Sequence, residues 1–122
     1  MNRSIEEESS LERLETHAHR PRTVEQPPLA AIEAAAGFFR AAGDVSRLRL
    51  LTLLRNGEWC VSELAETLCE GLSTVSQRLK ILRSEGLVAR RRDGKHVLYS
   101  LADAHVASLV ASAIEHAQER LR

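Results

Sequence analysis

Apolar positions in this chain recur at helical spacing over most of its length and switch once to the spacing of a strand. A polar stretch runs to Pro27-Pro28. An Ala-rich run from Leu29 to Ala42 then predicts a helix, with Ile32, Phe38 and Phe39 as packing residues. Pro28 suits its start and Gly43 its end. Asp44 is an N-cap type for a second helix over 45–55, with Val45, Leu48, Leu51 and Leu54 facing inward and Asn56-Gly57 as its stop. A short helix over 61–68, with Ser62 as cap, buries Leu64, Ala65 and Leu68. A turn at Glu70-Gly71 leads into a helix over 73–85, with Ser73 as cap, the stripe Val75, Leu79 and Leu82, and Gly86 as terminator. From Leu87 the period falls to two. Leu87–Arg92 and Lys95–Leu101 flank Asp93-Gly94, a strong hairpin signal. A last helix runs from Asp103 to Arg120, with Val106, Leu109, Val110, Ala113, Ile114 and Ala117 as its apolar stripe.

The expected fold class is mainly α with a small β-hairpin wing. A short helix, a Gly-containing turn, a second helix with a polar outer face and a hairpin together make a winged helix-turn-helix. Residues 1–27 read as a flexible N-terminal arm, partly helical around 8–15, and 28–122 as one domain. A length of 122 residues suits a single core, and 3% aromatic content makes that core aliphatic. No apolar run approaches the ~20 residues of a membrane span. Met1 to Ser10 lacks the apolar stretch of a signal peptide, and two cysteines make no disulfide framework. A cytoplasmic location with reduced thiols is expected.

The charge total of zero, from 17 basic and 17 acidic residues, argues against an indiscriminate polyanion binder but hides an asymmetry. Residues 71–100 hold Arg78, Lys80, Arg83, Arg90, Arg91, Arg92 and Lys95 against only Glu85 and Asp93. A local basic stripe is what a DNA-binding element needs. On the second helix of the pair, Ser73, Thr74, Ser76, Gln77, Arg78 and Lys80 are hydrogen-bonding types able to reach base edges in a major groove. On the wing, Arg90, Arg91, Arg92 and Lys95 suit phosphates or the minor groove. The bland reading is a solvated polar face on an ordinary amphipathic helix; the adjoining basic hairpin weighs against it.

The last helix carries a second chemistry. Asp103 and His105 lie at one end, His116 and Glu119 at the other, and all four are zinc-ligand types. Along one helix the two histidines are roughly 16 Å apart, whereas zinc–ligand bonds are about 2 Å long. Eleven residues at about 100° each still put both on nearly the same face. Two such helices packed antiparallel would join opposite ends. This predicts a symmetric homodimer with two interfacial sites, each of four N/O ligands. Two imidazoles and two carboxylates suit tetrahedral Zn(II), with Co(II) as substitute, and geometry decides among Zn, Co and Ni. Imidazole must be neutral to bind a metal, so affinity is expected to fall on acidification. The alternative for any one histidine is a plain surface role, and for Asp103 an N-cap.

Three runs carry a family resemblance. Gly43-Asp44-Val45-Ser46-Arg47-Leu48-Arg49-Leu50-Leu51, Glu58-Trp59-Cys60-Val61-Ser62-Glu63-Leu64 and Leu72-Ser73-Thr74-Val75-Ser76-Gln77-Arg78-Leu79-Lys80-Ile81-Leu82 resemble the signatures of the ArsR/SmtB family of winged-helix repressors. The resemblance covers about 29–121. It implies a homodimer joined through its N- and C-terminal helices, which represses from operator DNA in the apo form and is released by its inducer. Asp103-Ala104-His105 and His116-Ala117-Gln118-Glu119 match the zinc-sensing branch. The resemblance also implies that His116 signals through a backbone carbonyl near Gly86. It further implies a second candidate metal site of Cys60 and Glu63 with His17 and His19 from the other chain's arm. Cadmium and lead sensors usually carry Cys-x-Cys where this chain has Cys60-Val61-Ser62, so a thiolate-rich site is not expected.

The expected function is a Zn(II)-responsive repressor. The alternatives are a thiol- or redox-responsive repressor using Cys60 and Cys69, and a metal-buffering dimer without an operator. An enzyme is not expected, because no nucleophile–base pair is evident and four protein ligands leave a metal no open position.

Overall fold

The chain order is α1 (Leu29–Ala42), α2 (Val45–Leu54), β1 (Trp59–Cys60), α3 (Val61–Leu68), α4 (Leu72–Ser84), β2 (Val88–Asp93), β3 (His96–Leu101) and α5 (Ala104–Arg120). The structure is a computed structural model, and it describes residues 20–122. The helix expected around 8–15, and His17 and His19, lie outside the described residues. Residues 20–28 are exposed and carry no regular secondary structure.

The α1–α2 corner explains the Asp-x-x-Arg spacing physically. Asp44 caps α2, its Oδ2 accepting from the Arg47 backbone N–H at 3.0 Å. Arg47 then reaches back to the end of α1, where its Nε donates to the Ala41 carbonyl at 2.6 Å and a terminal nitrogen donates to that of Arg40 at 3.4 Å. One three-residue step therefore satisfies orphan donors of one helix and orphan acceptors of the other.

Two expected caps are corrected. Ser62 lies inside the first turn of α3, and the N-cap is Cys60, held extended by strand pairing. Glu63 Oε1 accepts from the Cys60 backbone N–H at 3.0 Å, the return half of a capping box. Ser73 is likewise the second residue of α4, whose N-cap is Gly71, without a side-chain cap.

The sheet contains a strand the pattern did not reveal. β3 lies between β1 and β2, pairing antiparallel with both, with Trp59 opposite Tyr99 and Val88 opposite Leu101. Two residues are too few for alternation to register. Asp93 pairs with His96, so the hairpin turn is Gly94-Lys95 rather than Asp93-Gly94. Gly94 takes φ +61, the left-handed conformation that two-residue hairpins favour.

The core joins α2, α3, α4 and the base of the hairpin. Leu50, Leu51, Leu64, Val75, Leu79 and Leu82 are fully buried, and no described polar or charged side chain is. Several expected packing residues are outside it. Val45 is 78% exposed, because it sits on the first turn of α2 beyond the cover of its neighbours, while Leu50 fills the core instead. Ile32 and Phe39 are exposed on α1, and only Phe38 of the expected trio packs on the core. On α5 only Val106 and Val110 are buried; Leu109, Ala113 and Ala117 are exposed.

Leu79→Ala is expected to lower unfolding free energy by about 2–5 kcal/mol, the range for truncating a buried leucine. Val45→Ala should change it by less than about 0.5 kcal/mol, as at other surface positions. Urea denaturation of the two variants checks both.

Candidate nucleic-acid interface and metal ligands

The buried stripe of Val75, Leu79 and Leu82 fixes how α4 is rotated. Ser73, Thr74, Ser76, Gln77 and Lys80 are consequently exposed. Leu72, Ser73, Ser76, Gln77 and Lys80 line one shallow concavity at the start of the helix. Leu72 lies outside the expected reading face because α4 begins one residue before the start that its sequence pattern indicates. The signal was available: Leu72 precedes Val75 by three positions and Leu79 by seven, in phase with the stripe. Arg78 departs from the expected face. It is half-buried and forms an ion pair with Glu70 in the turn before α4. It thus ties the turn of the helix-turn-helix to the second helix.

The wing divides its arginines in the same way. Alternation puts Arg90 and Arg92 on one face of β2 and Arg91 on the other. Arg91 makes a bidentate pair with Glu58, its Nε donating to Oε2 at 2.6 Å and its Nη2 to Oε1 at 2.8 Å. Glu58 immediately precedes β1, so this pair bridges the two outer strands across β3. The hydrogen bond from Arg91, and then its charge, hold the Glu58 carboxyl below its ordinary value of 4.5. The same contact raises Arg91. Arg90, Arg92 and Lys95 are exposed. The pairings of Arg78 and Arg91 were invisible in the sequence because nothing local announces a carboxylate 8 or 33 positions away.

The four proposed metal ligands form two pairs at opposite ends of α5. His105 Nδ1 lies 3.7 Å from Asp103 Oδ1, and His116 Nδ1 lies 4.0 Å from Glu119 Oε2. All four side chains are solvent-exposed. Asp103 is also the N-cap of α5, its Oδ1 accepting from the Val106 N–H at 3.0 Å. Each end of one chain offers two donors, and no group of three or more His, Cys, Asp or Glu suited to a metal occurs among the described residues.

Of the second candidate site, only Cys60 and Glu63 are described. Cys60 Sγ donates to Glu63 Oε1 at 3.0 Å and lies 3.2 Å from Ser62 Oγ. The Glu63 carboxyl is held below 4.5 by the Cys60 backbone N–H first, then by the thiol, with a smaller effect from His96. Cys69 is exposed at the other end of α3, in a left-handed conformation with φ 55. Nine helical steps separate the two cysteines by roughly 13 Å. A disulfide needs Cα atoms about 4.4–6.8 Å apart, so joining Cys60 to Cys69 within one chain would require α3 to unwind.

A sequence model of the family described as bacterial regulatory protein, arsR family, matches residues 44–90. The chain is 45% identical over 97 residues to a transcriptional repressor SmtB homolog of Synechocystis sp., covering 77% of this chain and 74% of that protein. The chain belongs to the ArsR family. That family comprises transcriptional regulators, not enzymes. Another relative is a cadmium resistance transcriptional regulatory protein CadC homolog of Staphylococcus aureus, 36% identical over 85 residues, covering 69% of this chain and 70% of that one. The fold also matches the solution structure of a homodimeric winged helix-turn-helix DNA-binding domain, Mb0332 of Mycobacterium bovis. The TM-score is 0.75 and the identity 32%, over 84% of this chain and 94% of that one.

The lowered Glu58 carboxyl sets a pH window for the wing brace. A depressed carboxylate contributes above its unfolded value and stops contributing as pH falls through its folded value. The Glu58–Arg91 pair is therefore expected to be intact at neutral pH and to open only below about 4.5. The Nε–H resonance of Arg91, followed by nitrogen-edited NMR, should titrate in that range in the parent chain and not in Glu58→Gln.

Proposed function

We propose that this chain is a metal-responsive transcriptional repressor. It acts as a homodimer on operator DNA in its metal-free form and is released when Zn(II) binds at the ends of α5. The observation that carries this reading is the division of α5 into two exposed His–carboxylate pairs, neither sufficient alone. A second copy laid antiparallel completes each pair with the opposite one. The domain of this reading comprises residues 28–122. Co(II) is the expected substitute metal, and the cytoplasm the compartment.

The donor set fits such an ion. Two imidazoles and two carboxylates make a four-coordinate N/O set. Asp103 keeps Oδ2 for a ligand role while Oδ1 caps the helix. When bound, the ion supplies a cross-link between the two α5 helices. The chain provides the surface on which they meet. His105, Leu109, Ser112 and His116 follow one another at steps of four, three and four, a single row along the helix. Beside that row runs an apolar groove between α1, α2 and α5, lined by Phe39, Leu48, Val106, Leu109 and Ala113 among others. Exposed Leu29, Ile32 and Phe39 on α1 extend this surface. Exposed apolar side chains beside an apolar groove are the kind of surface that a partner covers. It is the expected cover for a second copy through α1 and α5.

Dimerisation sets the separation of two α4 helices, and successive major grooves demand roughly 34 Å. Ser73, Thr74, Ser76, Gln77 and Lys80 present the reading face, and Arg90, Arg92 and Lys95 the phosphate contacts. Arg78 and Arg91 act first as braces and reach DNA only by exchanging their carboxylate partners. His116 would pass the state of the α5 ends toward the close of α4 near Gly86. The second candidate site of Cys60, Glu63, His17 and His19 would add a ligand set at the start of α3.

Fluorescence anisotropy with the chain's upstream promoter duplex at one fixed salt concentration tests this reading. Affinity should be high in chelator and drop tenfold or more with Zn(II), about 1.4 kcal/mol. His116→Gln should bind metal weakly and stay on DNA. A parent chain whose DNA affinity ignores Zn(II) would sink the proposal.

A further inference from the structure

The geometry points to Leu72 as a specificity-determining residue that reads the 5-methyl group of thymine in the operator. The inference rests on the operator-binding reading above and deepens it. Leu72 is the first residue of α4 and continues the stripe whose next three members, Val75, Leu79 and Leu82, are fully buried. Leu72 itself is 57% exposed, because the first turn of α4 projects past the edge of the core. Its neighbour Gly71 has no side chain to lay over it, and apart from its chain neighbours a Cβ there would have Thr74 Oγ1 at 3.9 Å as its nearest atom.

The projecting N-terminal turn of a second helix is the part that meets base edges in a helix-turn-helix. The side chains sharing the concavity with Leu72 are Ser73, Ser76, Gln77 and Lys80, all hydrogen-bonding and with one positive charge. That setting suits a polar, anionic partner with a single apolar point of contact. On the major-groove edges of the bases, the apolar group is the thymine methyl. Gln77, one turn on, can pair bidentately with adenine, so an A·T-containing step satisfies both side chains. Leucine has no donor or acceptor with which to hold a phosphate, so its place on this face is explained by a methyl contact.

The test deletes the methyl from the DNA rather than altering the protein. The metal-free full-length chain enriches a duplex from a random library. Each thymine of that duplex is then replaced in turn by deoxyuridine, which pairs identically. One such replacement in a half-site should weaken binding about fourfold, the equivalent of one buried methyl-sized group. Leu72→Ala, checked for an unchanged melting curve, should bind the thymine and deoxyuridine duplexes equally. The inference is overturned if no replacement matters to the parent chain, or if Leu72→Ala keeps the sensitivity. It is also overturned if Leu72→Ala instead shifts the monomer–dimer equilibrium in sedimentation, which would assign Leu72 to a contact between copies. If the parent chain enriches no duplex at all, the operator-binding reading itself fails, and this inference falls with it.

Discussion

Burial of one leucine-rich seam is the constraint on which every other feature of this structure depends. α3 has eight residues and α4 thirteen, lengths at which an isolated helix is marginal in water. Both are helical because Leu64, Leu68, Val75, Leu79 and Leu82 close against Leu50, Leu51 and Leu54 of α2. With 3% aromatic residues the seam is filled almost wholly by aliphatic chains, and interior packing leaves little tolerance for a shifted helix. The same contacts rotate α4 so that its serines, Gln77 and Lys80 face outward. Presentation of this polar face is thus a by-product of packing.

Because the interior holds no described charge, electrostatics acts at the seams between elements. Arg47 ties α1 to α2, Arg78 ties α4 to the preceding turn, and Arg91 ties the wing to the residue before β1. Each uses the planar guanidinium, whose several donors can grip a carbonyl or a carboxylate in a defined direction. The exposed Arg91–Glu58 pair among them adds little stability. Their contribution is orientation. They hold the turn and the hairpin in place relative to α4, and so govern what a groove would encounter.

The proposed metal chemistry follows a different logic, in which incompleteness is the informative property. A closed four-ligand site within one chain would stabilise a monomer and report nothing about how two copies are arranged. In the proposed site, splitting the donors between the ends of a seventeen-residue helix would make ligation depend on a second helix of opposite direction. The apolar groove beside the row His105–Leu109–Ser112–His116 would give that second helix a reason to be there. Asp103 would join the two roles, since the carboxylate that caps α5 also lies beside His105 in the first proposed donor pair.

The sequence by itself determined the helices. α1 and α3 occupy the residues that the pattern indicates, and α2, α4 and α5 differ from it by one residue at their ends. The stripe of α4 and the Asp44 cap are where spacing placed them, and the winged helix-turn-helix and its family were legible from the same runs. These features are local: a cap, a turn and a 3.6-residue period are each written within a few positions. Tertiary structure alone decided which apolar residues are covered, leaving Val45, Ile32, Phe39 and Leu109 outside. It also added β1, moved the α3 cap to Cys60, and engaged Arg78 and Arg91 with carboxylates. Periodicity states which side of a helix is apolar but not how much of that side a neighbour reaches. The partner of a long cation depends on chain segments that meet only after folding.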